Sequence, residues 1–226
     1  MPSLVIGDNE YKLPDNLSLD KWVEMNKWTH MPAKFISVGM DMPINEAAIV
    51  PEETQALACA LLVAIQNPEW HEVKTSLYGH QLIKFDDLTL GQFIDLENYM
   101  AEYSSMMPKM VEVLFDIEDT DDVTLNDVYA AVQSYINWRK LLYMQYERLF
   151  NIDRDEEEID EVKRKKNNTA HIWMDITMVL ANNDFTKMDE VLLKPIRQCL
   201  NWLAWNKDKA RTEAMARKKA QLKNKR

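Results

Sequence analysis

The chain has 226 residues and a formal charge of −10, with 46% hydrophobic and 28% charged residues. Seven Trp, eight Tyr and six Phe supply enough apolar matter for a core, which argues against wholesale disorder. Only four glycines are present, too few for the many turns of an all-β fold, so the composition points to helices.

The first stretch with internal logic is IGDNEYKLPDNLSLDKWVEMNKW at 6–28. Alternating residues flank Gly7-Asp8-Asn9, where a tight turn needs residues tolerant of positive φ, and this predicts a β-hairpin. Ser18 follows as the natural N-cap of a helix, its hydroxyl available to an orphan backbone N–H of the first turn. Pro51 suits the first turn of a second helix, where its missing N–H costs nothing. The apolar run ALACALLVAI at 56–65 is ten residues, half of the roughly 20 a membrane crossing requires, so it reads as a buried core helix.

Residues 78–99, YGHQLIKFDDLTLGQFIDLENY, repeat the first pattern. With one gap at Asn16, Gly7 meets Gly79, Lys12 meets Lys84, and Asp15 meets Asp87. Leu17-Ser18-Leu19 then meets Leu88-Thr89-Leu90, and Trp22-Val23-Glu24-Met25 meets Phe93-Ile94-Asp95-Leu96. A turn at Gly79-His80 predicts a second hairpin. Thr89 and Gln92 form a capping box, with Leu88 placed to staple onto Phe93. Met31-Pro32 and Met107-Pro108 follow the two helices, so a duplicated hairpin–helix unit accounts for 1–72 and 73–150.

A further start signal stands at Thr124-x-x-Asp127 and opens the clearest helix, 125–150. Leu125, Val128, Val132, Tyr135, Ile136, Leu142 and Leu149 recur there at three- and four-residue steps. Tyr135, Ile136, Leu142 and Leu149 are expected in the core, with Leu61, Leu62, Leu200 and Leu203. Arg139 interrupts the stripe, either as a partner for a buried carboxylate or with its stem along the surface. Residues 151–168 form a charged connector: seven acids lie within 153–161, and Lys163-Arg164-Lys165-Lys166 follows. Two helices come next, about 169–182 and 187–222, giving a C-terminal helical subdomain at 169–205 and a basic tail at 206–226.

The tail holds nine basic residues against two acids, a net of +7 on a body of −17. Lys207, Lys209, Arg211, Arg217, Lys218, Lys219, Lys223, Lys225 and Arg226 are its candidate partner-binding residues. The tail has strong helix formers and nothing to bury, which predicts a helix only where a partner holds it. Cationic helices follow nucleic-acid phosphate or dock on acidic protein surfaces, and the absence of aromatics after Trp205 removes a stacking platform for bases.

No other segment carries chemistry. DIEDTDDVTLND at 116–127 has Asp121 where a calcium loop needs glycine and Asp127 where it needs glutamate. His30, His71, His80 and His171 share no metal-ligand spacing, and neither a phosphate-binding Gly-Lys loop nor a nucleophile elbow is present. No enzyme, metal or cofactor is expected. Cys59 and Cys199 lie in apolar stretches and read as free thiols of a reducing compartment. MPSLVIGDNEY lacks the basic start and apolar run of a signal peptide, so a soluble cytosolic protein is expected.

FDDLTLGQFIDLENYM, the aromatic helix YAAVQSYINWRKLLYMQYERLF and the closing CLNWLAWNKDKAR together resemble tailed-bacteriophage structural and assembly proteins. The resemblance is to the small baseplate-hub and tail-assembly type and spans about 80–205. It implies a virion or assembly protein acting through interfaces at the tail, baseplate or head–tail junction. Its partners would be other phage structural proteins in an oligomeric assembly, in the host cytoplasm and then the virion, without a membrane. A nucleic-acid-binding accessory protein using the basic tail is the alternative. The expected fold is mostly α with two small β-hairpins, the hairpin–helix unit duplicated ahead of the helical subdomain.

Overall fold

The computed structural model describes residues 2–66, 72–150 and 169–224. The connector 151–168, together with Lys225 and Arg226, lies outside the described residues. The fold is mostly helical with two small antiparallel hairpins. It divides into two compact units, Met1–Ile83 with Tyr99–Tyr135, and Lys84–Asn98 with Ile136–Arg226.

In the first unit, β1 (Ser3–Ile6) pairs with β2 (Asn9–Lys12) around Gly7-Asp8. Gly7 has φ +60°, as a two-residue hairpin turn demands. The second hairpin, β3 (Ser76–Leu77) and β4 (His80–Gln81), turns at Tyr78-Gly79, one residue earlier than expected. Both turn residues have positive φ, 49° and 90°, so the tyrosine is carried in a conformation normally left to Asn or Gly. Its hydroxyl donates to the Asp122 carbonyl at 2.8 Å, which helps to hold it there.

Helix α1 (Leu19–Asn26) is capped by Ser18, whose Oγ accepts from the Lys21 N–H at 3.3 Å. Three helices follow: α2 (Pro32–Gly39), α3 (Ile44–Ile49) and α4 (Glu52–Gln66). Pro32 opens α2, whereas Pro108 lies inside α6 (Tyr103–Phe115), so the two Met-Pro pairs have different roles. Gly39 lets α1, α2 and α4 approach closely. A Cβ there would stand 2.7 Å and 2.9 Å from the Leu62 methyls and 3.1 Å from Met25 Cε. The apolar run at 56–65 is only half a core helix. Ala58, Leu62 and Gln66 are buried, while Ala56, Leu57, Ala60 and Ala64 face outward. Its alternating alanines give it one bulky face to bury, not two.

The start of α7 (Leu125–Gln145) belongs to this unit and pairs with the start of α1. Leu19 N–H donates to the Val123 carbonyl at 3.0 Å, and Leu125 N–H to the Leu17 carbonyl at 2.7 Å. Asn16 secures the junction, donating to Thr124 Oγ1 at 2.7 Å and accepting from the Leu17 and Asn126 N–H groups. Leu17, Leu19, Val123 and Leu125 are fully buried around it.

The second unit repeats this junction. Thr89, cap of α5 (Leu90–Met100), exchanges capping-box bonds with Gln92: its N–H donates to Oε1 at 3.0 Å and its Oγ1 accepts from Gln92 N–H at 3.2 Å. Leu90 N–H donates to the Lys194 carbonyl at 2.8 Å, and Ile196 N–H to the Leu88 carbonyl at 2.8 Å. Ser18 and Thr124 are 106 positions apart in sequence, as are Thr89 and Pro195. The compact units are therefore not successive stretches of chain. Each joins a helix start from one stretch to a helix start far downstream.

Two expected helices are each divided. The 125–150 helix is interrupted at Tyr146 between α7 and α8 (Glu147–Phe150). The 187–222 helix becomes α10 (Met188–Leu192) and α11 (Ile196–Asn224), because Pro195 has no N–H to continue the ladder and serves instead in the bridge with Thr89. Helix α9 (Thr169–Leu180) precedes them. Phe93 anchors an aromatic cluster with Trp138, Tyr143 and Trp173, at centroid distances of 6.3, 6.4 and 5.4 Å. Of the expected core residues, Leu62, Tyr135, Leu142 and Leu200 are buried, whereas Leu61, Ile136, Leu149 and Leu203 are half-buried.

Ser18→Ala and Thr89→Ala should each cost about 1 kcal/mol in denaturant unfolding. Leu142→Ala should cost about 2–5 kcal/mol. Gly39→Ala should destabilise the first unit by about 1–3 kcal/mol, because the fully buried Leu62 methyls and Met25 Cε would have to move to admit it. A loss below about 0.5 kcal/mol at Gly39 would mean that the close approach is not tight.

Candidate docking surface

The surface that carries charge without packing is the distal part of α11, and the second unit builds the mount from which it projects. Ile196, Cys199 and Leu200 bury one face of the helix's first turns. Arg197 ties the same turns down through polar contacts. Its Nε donates to Asp86 Oδ1 at 2.6 Å and its Nη1 to Gln145 Oε1 at 2.9 Å. Trp138 Nε1 donates to the same Asp86 oxygen at 3.0 Å. These two donors, Arg197 first, hold the Asp86 carboxyl below its ordinary range. Farther along, the Tyr146 hydroxyl donates to Asn201 Oδ1 at 2.6 Å, and Lys207 Nζ donates to the Arg148 carbonyl.

A buried ion pair stiffens the mount. Arg139 engages Glu97 with both Nε and Nη2, the latter at 2.7 Å, and the Tyr143 hydroxyl donates to Glu97 Oε2 at 2.8 Å. Of the two readings of Arg139, the paired one is the structure's. Burial, and then the Glu97 charge beside it, raises the Tyr143 pKa. The set is mutually paired: a carboxylate with two satisfied oxygens and a guanidinium 4.8 Å from the Tyr143 ring.

Past Lys207 the helix continues to Asn224. The tail expected to be helical only against a partner is helical in the single chain. The first turns of α11 are nucleated by the buried half, so each further residue adds a hydrogen bond without the cost of a new start. Residues 208–217 and Lys219 are exposed. Lys209 Nζ stands 5.1 Å from the Trp205 ring, and Arg217 reaches Glu213 only at 4.0 Å, so both remain available at the surface. Lys207 is engaged in the mount, and Lys225 and Arg226 lie outside the described residues. At 100° per residue, Lys209, Arg211, Arg217 and Lys219 point to different sides of the helix. The helix offers charge all round, with Trp202 and Trp205 exposed at its root.

Elsewhere in the unit, Leu180, Ala181, Val191, Cys199 and Trp202 line an apolar cleft of about 240 Å³. Lys187 and Lys194 at its rim are paired with Asp184 and Glu190. The Cys199 thiol is free, and burial raises its pKa; Cys59 is likewise free, half-buried and raised by burial. In the first unit, Asp121 is raised by the like charges of Asp119 and its acidic neighbours, and Asp119 Oδ1 accepts from Asp121 N–H at 2.9 Å. Among the described residues no cluster of His, Cys, Asp or Glu is placed to hold a metal ion, and no helix is long and apolar enough to cross a membrane. Comparison with protein-family models, with curated proteins and with solved structures finds no match for this chain.

The depressed Asp86 pKa sets a pH dependence. A carboxylate held low contributes its stability above its unfolded pKa, about 3.9, and loses it as pH falls through the lower folded value. Asp86→Asn should therefore reduce thermal stability at neutral pH, with the difference from the native chain closing in acid. A difference that persists at low pH would show that the charge of Asp86 is not what Arg197 and Trp138 use.

Proposed function

We propose that the protein is a non-catalytic assembly protein that docks an acidic partner surface through the distal part of α11. The observation that carries this is one continuous helix, anchored in the core at one end and exposed with cationic side chains on all sides at the other. The rest of the chain is strongly acidic, so the helix is the place where an anionic macromolecule meets attraction rather than repulsion. Exposed pairs of this kind add little affinity each but set orientation and association rate. The resemblance to baseplate-hub and tail-assembly proteins gives the setting: a tailed-bacteriophage particle, with another structural protein at the tail, baseplate or head–tail junction as the partner. A preformed helix also pays less ordering entropy on docking than a disordered tail would.

Truncation after Trp205 tests the reading. Cooperative thermal unfolding should survive, since of the described residues removed only Lys207 and the half-buried Asn206 meet the body of the unit. Incorporation into particles, followed by mass spectrometry of purified virions, should fall, and capture of the virion partner by the full chain should weaken with added salt. Normal incorporation together with loss of DNA binding would replace this reading with a nucleic-acid clamp.

A further inference from the structure

The apolar cleft of the second unit opens on the same side of α11 as part of its cationic run, and the two together state what a partner must bring. The cleft lies where the end of α9, α10 and the early turns of α11 meet. Ala181 and Cys199, 2% and 4% exposed, are too small to fill it, and Leu180, Val191 and Trp202 stand around them. At about 240 Å³ it falls below the roughly 300–1,000 Å³ of pockets that enclose a whole small-molecule ligand. It has room for one large apolar side chain. Its rim is polar without a net charge, since Lys187 pairs with Asp184 at 3.1 Å and Lys194 with Glu190 at 2.9 Å. The cleft itself therefore selects for shape and apolar area.

Charge begins farther along the same side. Trp202 and Lys209 are seven residues apart, which places them within about 20° of each other around the helix and about 10 Å apart along its axis. Trp205, 59% exposed, comes one turn after Trp202, and Lys209 Nζ stands 5.1 Å from its ring. Arg211, Arg217 and Lys219 continue the exposed cationic run. An apolar pocket with polar groups around it is the anatomy of an anchor in a protein interface. A nucleic acid would meet the lysines and arginines with phosphates, but it has no aliphatic side chain to offer the cleft.

We propose that this cleft is the anchor point of the α11 docking surface. The partner is then a protein segment that seats one large apolar side chain between Leu180, Val191 and Trp202 and carries carboxylates about 10 Å away, at Lys209 and beyond. This rests on the docking reading of α11 and adds the partner's chemistry to it. The two parts divide the work. Exposed charge pairs attract and orient but discriminate little, whereas a desolvated anchor in a pocket sets which segment binds.

Fluorescence anisotropy on the full chain tests this with two labelled peptides of Asp and Glu, one carrying a single central leucine and the other serine in its place. The leucine peptide should bind about tenfold tighter. Trp202→Ala, which removes a wall of the cleft, and Gln198→Trp, which lays a ring over its rim, should each bring the two peptides to the same affinity. They alter the cleft in opposite ways at exposed positions, so a folding fault in one, seen by circular dichroism, leaves the other as the test. Lys209→Glu and added salt should weaken both peptides while the leucine preference stays. Equal binding of the two peptides to the native chain, or a leucine preference that survives both cleft variants, would overturn the proposal. Truncation after Trp205 separates it from the reading beneath it: unchanged, salt-insensitive binding by the truncated chain would overturn the role of the cationic helix, and with it the carboxylates assigned to the partner.

Discussion

The structure depends on one device used twice: two helix starts, far apart in sequence, joined by reciprocal backbone hydrogen bonds. An isolated helix start leaves N–H groups unsatisfied, and burying them bare would cost free energy. Here the N–H of Leu19 is satisfied by Val123 and that of Leu125 by Leu17, and Leu90 and Ile196 are served in the same way by Lys194 and Leu88. The donors Leu19, Leu90, Leu125 and Ile196 are all fully buried. The apolar side chains flanking each cap can therefore enter the core without stranding the backbone beside them. The arrangement couples burial to long-range pairing, so neither unit can form from a contiguous stretch alone.

Much of the local structure was legible in the sequence. Gly7 and Gly79 announced the hairpins, and Ser18, Thr89 and Thr124 announced helix starts, because cap chemistry is decided within four residues. What could not be read was which start meets which, since partners 106 positions apart leave no local mark. Pro195 was a visible stop, but the strong periodicity on both sides of it suggested one helix. The apolar run at 56–65 misled in the opposite sense, because composition counts alanines as core while geometry leaves several of them outside.

The cationic tail was legible in charge but not in conformation. Its composition gave the cationic character, while the absence of an apolar stripe suggested a chain that orders only on binding. In the structure the helix runs on past its buried nucleus: Ile196, Cys199 and Leu200 hold the first turns, and good helix formers follow. The Asp86–Arg197–Gln145 contacts add direction to that anchor, since they fix the root from which the cationic part projects. The cationic helix thus begins at the second bridge, where Pro195 ends one helix and opens the next.

Amide hydrogen exchange at the four bridging residues tests this most directly. If the paired starts are what the two units are built on, the N–H groups of Leu19, Leu125, Leu90 and Ile196 should open only with global unfolding and rank among the slowest in the chain. Exchange at these four sites as fast as at the exposed amides of the hairpin turns would contradict the account, because the bridges would then be incidental to folds held together elsewhere.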